Sequence, residues 1–343
     1  MRGRGPTDRA VDLALRAALG VARSLPYERR VAAMGALTAR ALGPLAGYRR
    51  RAEANLGLIF PDMPAPRRAS LARAVCDNLG RTLIENYSGA EFARALPAAL
   101  HEDAGLETIA RARAERRPVI FVTGHFGNHE APRRVLTSMG YEIGGLYRAM
   151  SNGFVNDHYA ATMQDVSGPV FAKGRRGLTG FLRHLKSGGM ATILFDLHDR
   201  GGVEIDFMGR PARTALTAAE LALRFDAALV PYFGIRRPDG IGFHIALEAP
   251  ISQAEPIAMM REATRRLEAR MERDPGQWFW VHNRWKQARA AGEGRRAAAR
   301  IAPGPSSCTI TAPGNSPSNG AVMSSASLPV QRTSRLHEVT MLA

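Results

Sequence analysis

The spacing of apolar positions changes once along the chain, near residue 117. Ahead of that point the pattern is helical. From Arg9 to Leu25 the charged residues Arg9, Asp12, Arg16 and Arg23 stand three, four and seven apart and share one narrow stripe. The broad opposite face carries Val11, Leu15, Ala18, Ala22 and Leu25. Such a face either packs on the protein's own core or lies in a membrane interface with the Arg stripe toward lipid headgroups. A second helix is expected over residues 28–42, ending near the Gly43-Pro44 break. A short helix, a Pro-bounded turn and a long amphipathic helix from Pro66 to Glu85 follow. Cys76 falls inside that last helix and reads as a buried, inert thiol.

From residue 117 short apolar runs alternate with helical patterns. Strands are expected at VIFVT (119–123), YEIGGLY (141–147), PVFA (169–172), MATILFD (190–196), ALVPYFGI (228–235) and FHIALEAP (243–250). Helices are expected after Asn128 and over 155–165, 177–187, 216–225 and 254–273. This alternation predicts an α/β fold with a mostly parallel central sheet flanked by helices and preceded by N-terminal helices. Beyond about Arg289 the composition turns to Ala, Arg, Ser, Pro, Gly and Asn without apolar periodicity. Residues 288–343 therefore read as a disordered low-complexity tail.

Charge changes the picture more than composition does. The chain carries a formal net charge of +16, and residues 1–52 hold eleven arginines against Asp8, Asp12 and Glu28, a net of +8. An anionic partner is expected. Two cysteines, Cys76 and Cys308, support neither a disulfide framework nor a Cys-based zinc site. Arg interrupts every N-terminal run that could cross a membrane, a span needing roughly 20 apolar residues. The recognisable nucleic-acid modules are absent, so no nucleic-acid partner is expected.

The candidate chemistry sits in GHFGNHE, residues 124–130, directly after the apolar run VIFVT. In open α/β sheets reactive groups gather where strands end and helices begin. His125 falls on that loop, Asn128 is a good N-cap, and Glu130 falls in the first turn of the following helix. A carboxylate on Nδ1 fixes the tautomer and leaves Nε2 free to take a proton, which makes His125 with Glu130 a candidate general base. A metal site on His125, His129 and Glu130 competes with this, although neither HExxH nor HxxEH is present. A solvated polar loop competes too. A serine hydrolase would need GxSxG at a strand–helix elbow, and that motif is absent.

GHFGNHE after an apolar strand resembles the His-x4-Asp/Glu signature of glycerolipid-type acyltransferases, and the surrounding sequence resembles the lipid A biosynthesis late acyltransferases. RAEANLGLIFPDM with the following NLGRTLIE, LYRAMSN (146–152), FDLHDRGGVEIDFMGRPARTA (195–215) and DPGQWFWVHNRWK (274–286) carry the likeness in order and spacing. It runs from about residue 10 to 287. The family's Asp-Gln pair reads Asp196-Leu197 here, and the N-terminus is richer in Arg and poorer in Leu and Phe than the family's usual anchor.

The resemblance implies a glycerolipid-acyltransferase-type fold and transfer of a fatty acyl chain from acyl carrier protein to a hydroxyl of a lipid A precursor, without metal or other cofactor. A same-mechanism transfer to a lysophospholipid or another membrane lipid is the alternative. His125 would be the base and Glu130 its orienting acid. Gly127 and Asn128 would shape the loop, with oxyanion stabilisation expected from backbone N–H groups nearby. Asp196 and Arg213 would line the site. Arg148 would pair with an acceptor phosphate or carboxylate, or else be a plain surface residue. Lys173-Gly174-Arg175-Arg176 resembles an anion-binding turn, or else a solvated face. Residues 1–52 would associate with anionic lipid at the cytoplasmic face of the inner membrane, peripherally or monotopically. Residues 53–287 would form the acyltransferase domain.

Overall fold

The change of period at residue 117 marks the start of the sheet in the computed structural model, which describes residues 3–286. The tail expected at 288–343 and Cys308 lie outside the described residues. Ahead of the sheet come α1 (Pro6–Arg23), α2 (Tyr27–Leu37), a π-helical turn (Thr38–Leu42), α3 (Gly43–Leu45), α4 (Tyr48–Ile59), α5 (Ala65–Asn86), α6 (Gly89–Ala95) and α7 (Leu106–Ala114). Then follow β1 (Val119–Thr123), α8 (Glu130–Ser138), β2 (Ile143–Tyr147), α9 (Gly153–Gln164), β3 (Val170–Ala172), α10 (Arg175–Lys186) and β4 (Met190–Leu194). A hairpin of β5 (Val203–Phe207) and β6 (Arg210–Thr214) leads to α11 (Thr217–Arg224), β7 (Ala228–Arg236), β8 (Phe243–Leu247) and α12 (Pro256–Arg273). The division expected at residues 52 and 53 falls inside α4.

Six strands form one sheet in the order β3-β2-β4-β1-β7-β8, and only β8 runs antiparallel to its neighbour. The fold is α/β, as the alternation of strands and helices predicts. β1 lies inside the sheet and is buried at all five positions, which is why it reads as an unbroken apolar run. Its register pairs Thr123 with Leu194 of β4. The residues just past these two strands, His125 and Asp196, therefore emerge side by side.

The hairpin β5–β6 was not expected, although VEIDF alternates with period two. Ile205 and Phe207 are buried, and Glu204 and Asp206 face solvent. The three tryptophans of the closing block belong to the core: Trp278, Trp280 and Trp285 pack edge-to-face and stacked on one another, and Phe207 packs at a tilt on Trp278 and Trp285. Cys76 is buried, and burial pushes its thiol up to about 11, as an inert thiol requires.

Helix α1 is turned differently from the stripe expectation. Its packed side is Asp12, Leu15, Leu19 and Ala22, while Val11, Leu13 and Val21 stay exposed. Asp12 goes inside because α9 offers it a polar partner. Its Oδ1 lies 3.1 Å from His158 Nε2, and its Oδ2 accepts from Arg16 Nε at 2.9 Å. A buried carboxylate paired in this way costs less than one left alone.

Candidate active site

Asp196 is fully buried beside the His125 loop. His125 Nδ1 lies 2.8 Å from Asp196 Oδ1, and the His125 backbone N–H donates to Oδ2 at 2.8 Å. The indole N–H of Trp278 donates to the same Oδ2 at 2.8 Å. Burial opposes ionisation of Asp196, but His125 and these donors outweigh it and bring the carboxyl down to about 2. A carboxylate held in this way fixes Nδ1 as the protonated nitrogen of His125. Nε2 has no hydrogen-bond partner among the described residues. Asp196, seventy-one positions away in sequence, therefore takes the place expected of Glu130.

Glu130 is bound elsewhere. Its Oε2 accepts from Arg133 Nη1 at 3.0 Å, one turn along α8, and its Oε1 lies 4.0 Å from His129 Nε2. Burial raises the Glu130 carboxyl, but Arg133 and His129 outweigh that and hold it below its usual range. Arg133 is itself fixed, donating also to the carbonyls of Ile143, Met163 and Ser167. The spacing suggested a Glu130–His125 contact; the first turn of α8 instead turns the carboxylate inward to Arg133.

Helix α5 and the closing block pin the loop. Gly127 has φ +54° and a Cβ there would stand 1.9 Å from the Gly234 carbonyl oxygen, so only glycine fits. The Gly127 carbonyl accepts from Asn78 Nδ2 at 3.1 Å and Thr82 Oγ1 at 2.9 Å. Asn128 donates to Glu85 and Asn86, and its Oδ1 accepts from the Glu130 N–H at 3.0 Å, although the N-cap position of α8 falls one residue later than expected, on His129. Glu85 is held in turn by Arg236. From the other side, Gln277 O accepts from the Gly127 N–H, and the Phe279 N–H donates to His125 O, both at 3.0 Å.

These groups border a cavity of about 670 Å³. His125, His129, Glu130 and Arg133 line one part. Leu146, Met163, Leu178, Phe195 and Val281 give it apolar walls, and Arg51, Arg148, Lys173 and Lys286 bring cations from four separate segments. Of the residues singled out in the sequence, His125, Glu130, Arg148 and Lys173 line the cavity, while Asp196 stands behind His125. Gly127 and Asn128 support the loop from outside the lining. Arg175 and Arg176 open α10 as exposed residues outside it. Arg213 also lies outside it; its Nη1 donates to Arg200 O at 2.7 Å on the hairpin side.

Sequence reasoning assigned no role to Arg133, Tyr159 or His282, all of which line the cavity. His282 Nε2 accepts from the His198 N–H at 3.0 Å. Arg284 is fully buried and ties the closing block to the carbonyls of Leu197 and Arg213 and to Thr214 Oγ1. The only early signal for His282 and Arg284 was HNRWK itself.

Burial pushes both His129 and His282 down to about 4. Their folded pKa values lie below that of an unfolded imidazole, about 6.5. The unfolded chain therefore binds more protons between those limits, and stability is full above pH about 6.5 and falls toward pH about 4. Each histidine is expected to contribute a slope of about 1.4 kcal/mol per pH unit in that window. Urea unfolding across pH 4–8 checks this; His129→Phe should flatten the slope, and an unchanged slope would contradict the assignment.

Comparison with known proteins gives a consistent picture. Residues 7–287 match the model of the family described as bacterial lipid A biosynthesis acyltransferase. The chain is similar to the lipid A biosynthesis lauroyltransferase of Escherichia coli (strain K12), with 26% identity over 241 residues, 68% of this chain and 77% of that protein. It is similar to a lipid A biosynthesis acyltransferase of Haemophilus influenzae, 23% identical over 237 residues, covering 68% of this chain and 74% of that protein. Lipid A biosynthesis acyltransferase 2 of Shigella flexneri is 22% identical over 244 residues, covering 68% of this chain and 76% of that protein.

Proposed function

The chain belongs to the bacterial lipid A biosynthesis acyltransferase family, and from that premise we propose that it moves a fatty acyl chain from acyl carrier protein to a hydroxyl of a lipid A precursor. One observation carries the chemical part. A buried carboxylate fixes Nδ1 of His125, and the free Nε2 belongs to a residue lining an apolar cavity with cations among its lining residues. In this reading Nε2 takes the proton of the acceptor hydroxyl as its oxygen attacks the thioester carbonyl carbon. The carbon–sulfur bond breaks, the sulfur leaves as thiolate, and the imidazolium returns the proton to it. Asp196 orients the ring and stabilises its transient charge. Glu130, held by Arg133, adds a fixed negative charge nearby.

The surroundings suit these substrates. The apolar walls fit an acyl chain. Arg148 and Lys173, with Arg51 and Lys286, supply positive charge for phosphate on the acceptor. A chain of net charge +16 attracts an acidic carrier protein and an anionic membrane surface. Transfer from carrier-protein thioesters to a tetra-acylated lipid A precursor, run beside lysophospholipid acceptors, tests the reading. Product on the lysophospholipids alone would keep the chemistry and discard the acceptor.

Docking at the membrane, on the cytoplasmic face of the inner membrane, is part of the same proposal. Among the described residues no helix is long and apolar enough to cross a membrane. From α1 to α3, however, Val11, Leu13, Val21, Leu25, Leu37, Leu42 and Leu45 are exposed, Leu45 at 85%. These apolar side chains amid arginines support a peripheral or monotopic attachment. Binding to vesicles of anionic phospholipid is expected to weaken when salt rises from about 0.05 M to about 0.5 M. Leu13→Glu and Val21→Glu should each weaken it about tenfold further, the scale of one lost apolar side chain. Binding insensitive to both changes would contradict attachment through this face.

A further inference from the structure

We propose that His129 is a second catalytic imidazole, a neutral hydrogen-bond donor to the thioester carbonyl oxygen as that oxygen gains negative charge. The proposal rests on the acyl-transfer reading above and adds the group that reading lacks.

Attack on a thioester places a developing charge on the carbonyl oxygen, and a fixed donor must meet it. The expected source, the loop backbone from His125 to Asn128, is already committed. The N–H of His125 goes to Asp196, that of Phe126 to Gly124 O, that of Gly127 to Gln277 O and that of Asn128 to Gly234 O. The N–H of Glu130 goes to Asn128 Oδ1. Arg133 points its guanidinium at Glu130 and three carbonyls. From residue 125 to residue 130, only His129 keeps an unengaged donor among the described residues.

His129 lines the same cavity as His125, and its ring centroid lies 5.6 Å from that of His125 at an interplanar angle of 62°. It is only 7% exposed, yet its ring makes no hydrogen bond among the described residues. The nearby Glu130 Oε1, at 4.0 Å from Nε2, is beyond hydrogen-bond reach. A neutral imidazole always carries one N–H. Because His129 lines the cavity, a substrate oxygen arriving there can accept from that N–H. Burial also keeps this ring uncharged at neutral pH. It therefore cannot compete with His125 as base and cannot trap an anion permanently. Two adjacent imidazoles thus divide the work: the one on Asp196 accepts the hydroxyl proton, and the buried one donates to the oxyanion. The hydroxyl oxygen bonds to the carbonyl carbon, the thiolate departs with the pair from the carbon–sulfur bond, and the His129 proton stays on its nitrogen.

The test is steady-state transfer by the full chain from a lauroyl acyl-carrier-protein thioester to a tetra-acylated lipid A precursor. Wild type is compared with His129→Phe and His129→Leu, which have no donor, with His129→Gln, which keeps one, and with His125→Ala. Melting temperatures are recorded in parallel. Loss of one oxyanion donor predicts that kcat falls on the order of 100-fold in both donor-free variants, with KM for both substrates within about threefold of wild type. His129→Gln should recover at least about tenfold of that loss. A donor-free variant that keeps kcat within about threefold of wild type would overturn the proposal. So would a His129→Gln as impaired as its donor-free counterparts at equal melting temperature. In those cases an inactive His125→Ala leaves the acyl-transfer reading standing. A His125→Ala as active as wild type would remove both.

Discussion

Replacing His125 with alanine lowers kcat for acyl transfer by about a thousandfold or more and leaves the fold intact, the scale of a lost general base. Its nearest titratable neighbours in the cavity do not replace it. Glu130 is engaged by Arg133, and burial holds His129 and His282 down to about 4, so both are poor bases at neutral pH. The imidazole packs against Phe279 at 5.5 Å between ring centroids, so a small stability loss accompanies the change. It should not exceed the usual cost of trimming one side chain, on the order of 3 kcal/mol. Thioester binding, measured with a non-hydrolysable analogue, should stay near wild type. Turnover within tenfold of wild type would remove His125 from the mechanism.

Asp196→Asn is the second large effect. Asp196 Oδ1 faces His125 Nδ1, and Oδ2 accepts both the His125 backbone N–H and the Trp278 indole. An asparagine amide cannot satisfy all three. With its NH2 toward Oδ2's partners, two buried donors lose their acceptor. With its NH2 toward Nδ1, the imidazole must carry its proton on Nε2 and ceases to be a base. Either orientation predicts a fall in kcat on the order of 10²–10⁴, the range seen when a carboxylate orienting a catalytic imidazole is made an amide. A stability loss of about 1–3 kcal/mol accompanies the first orientation. Because the carboxyl is held down to about 2, the contribution of the bonds this carboxylate accepts is full above pH about 4 and is lost only as pH falls through about 2. Glu130→Gln separates the two acids. If Asp196 orients the base, Glu130→Gln retains more activity than Asp196→Asn; the reverse order would restore the partner expected from the loop spacing.

Much of the fold can be read from the sequence because burial shapes its patterns. A strand buried on both faces must be apolar throughout, so VIFVT and MATILFD stand out, and intervening helical spacing implies parallel connections. His125 stands out because its motif follows such a strand. The partner of His125 does not, because neighbours in a sheet are distant in sequence. Asp196 ends MATILFD, but only the pairing of β1 with β4 brings it to His125. Glu130 is near in sequence, and its carboxylate is taken by Arg133, whose significance rests on three carbonyls drawn from β2, α9 and the loop after it. Loop closure by the 277–279 segment is equally nonlocal. The packed side of helix α1 is not legible in the sequence, because Asp12 counts as a surface residue until His158 is placed beside it.

The measurement that bears most directly on the central claim is mass spectrometry of the lipid product. The purified chain is given acyl-carrier-protein thioesters of several lengths and a tetra-acylated lipid A precursor, with His125→Ala as the control. The account predicts a precursor one acyl chain heavier, formed by wild type and absent with the variant. An unmodified precursor with wild type, or the same product from His125→Ala, would contradict it.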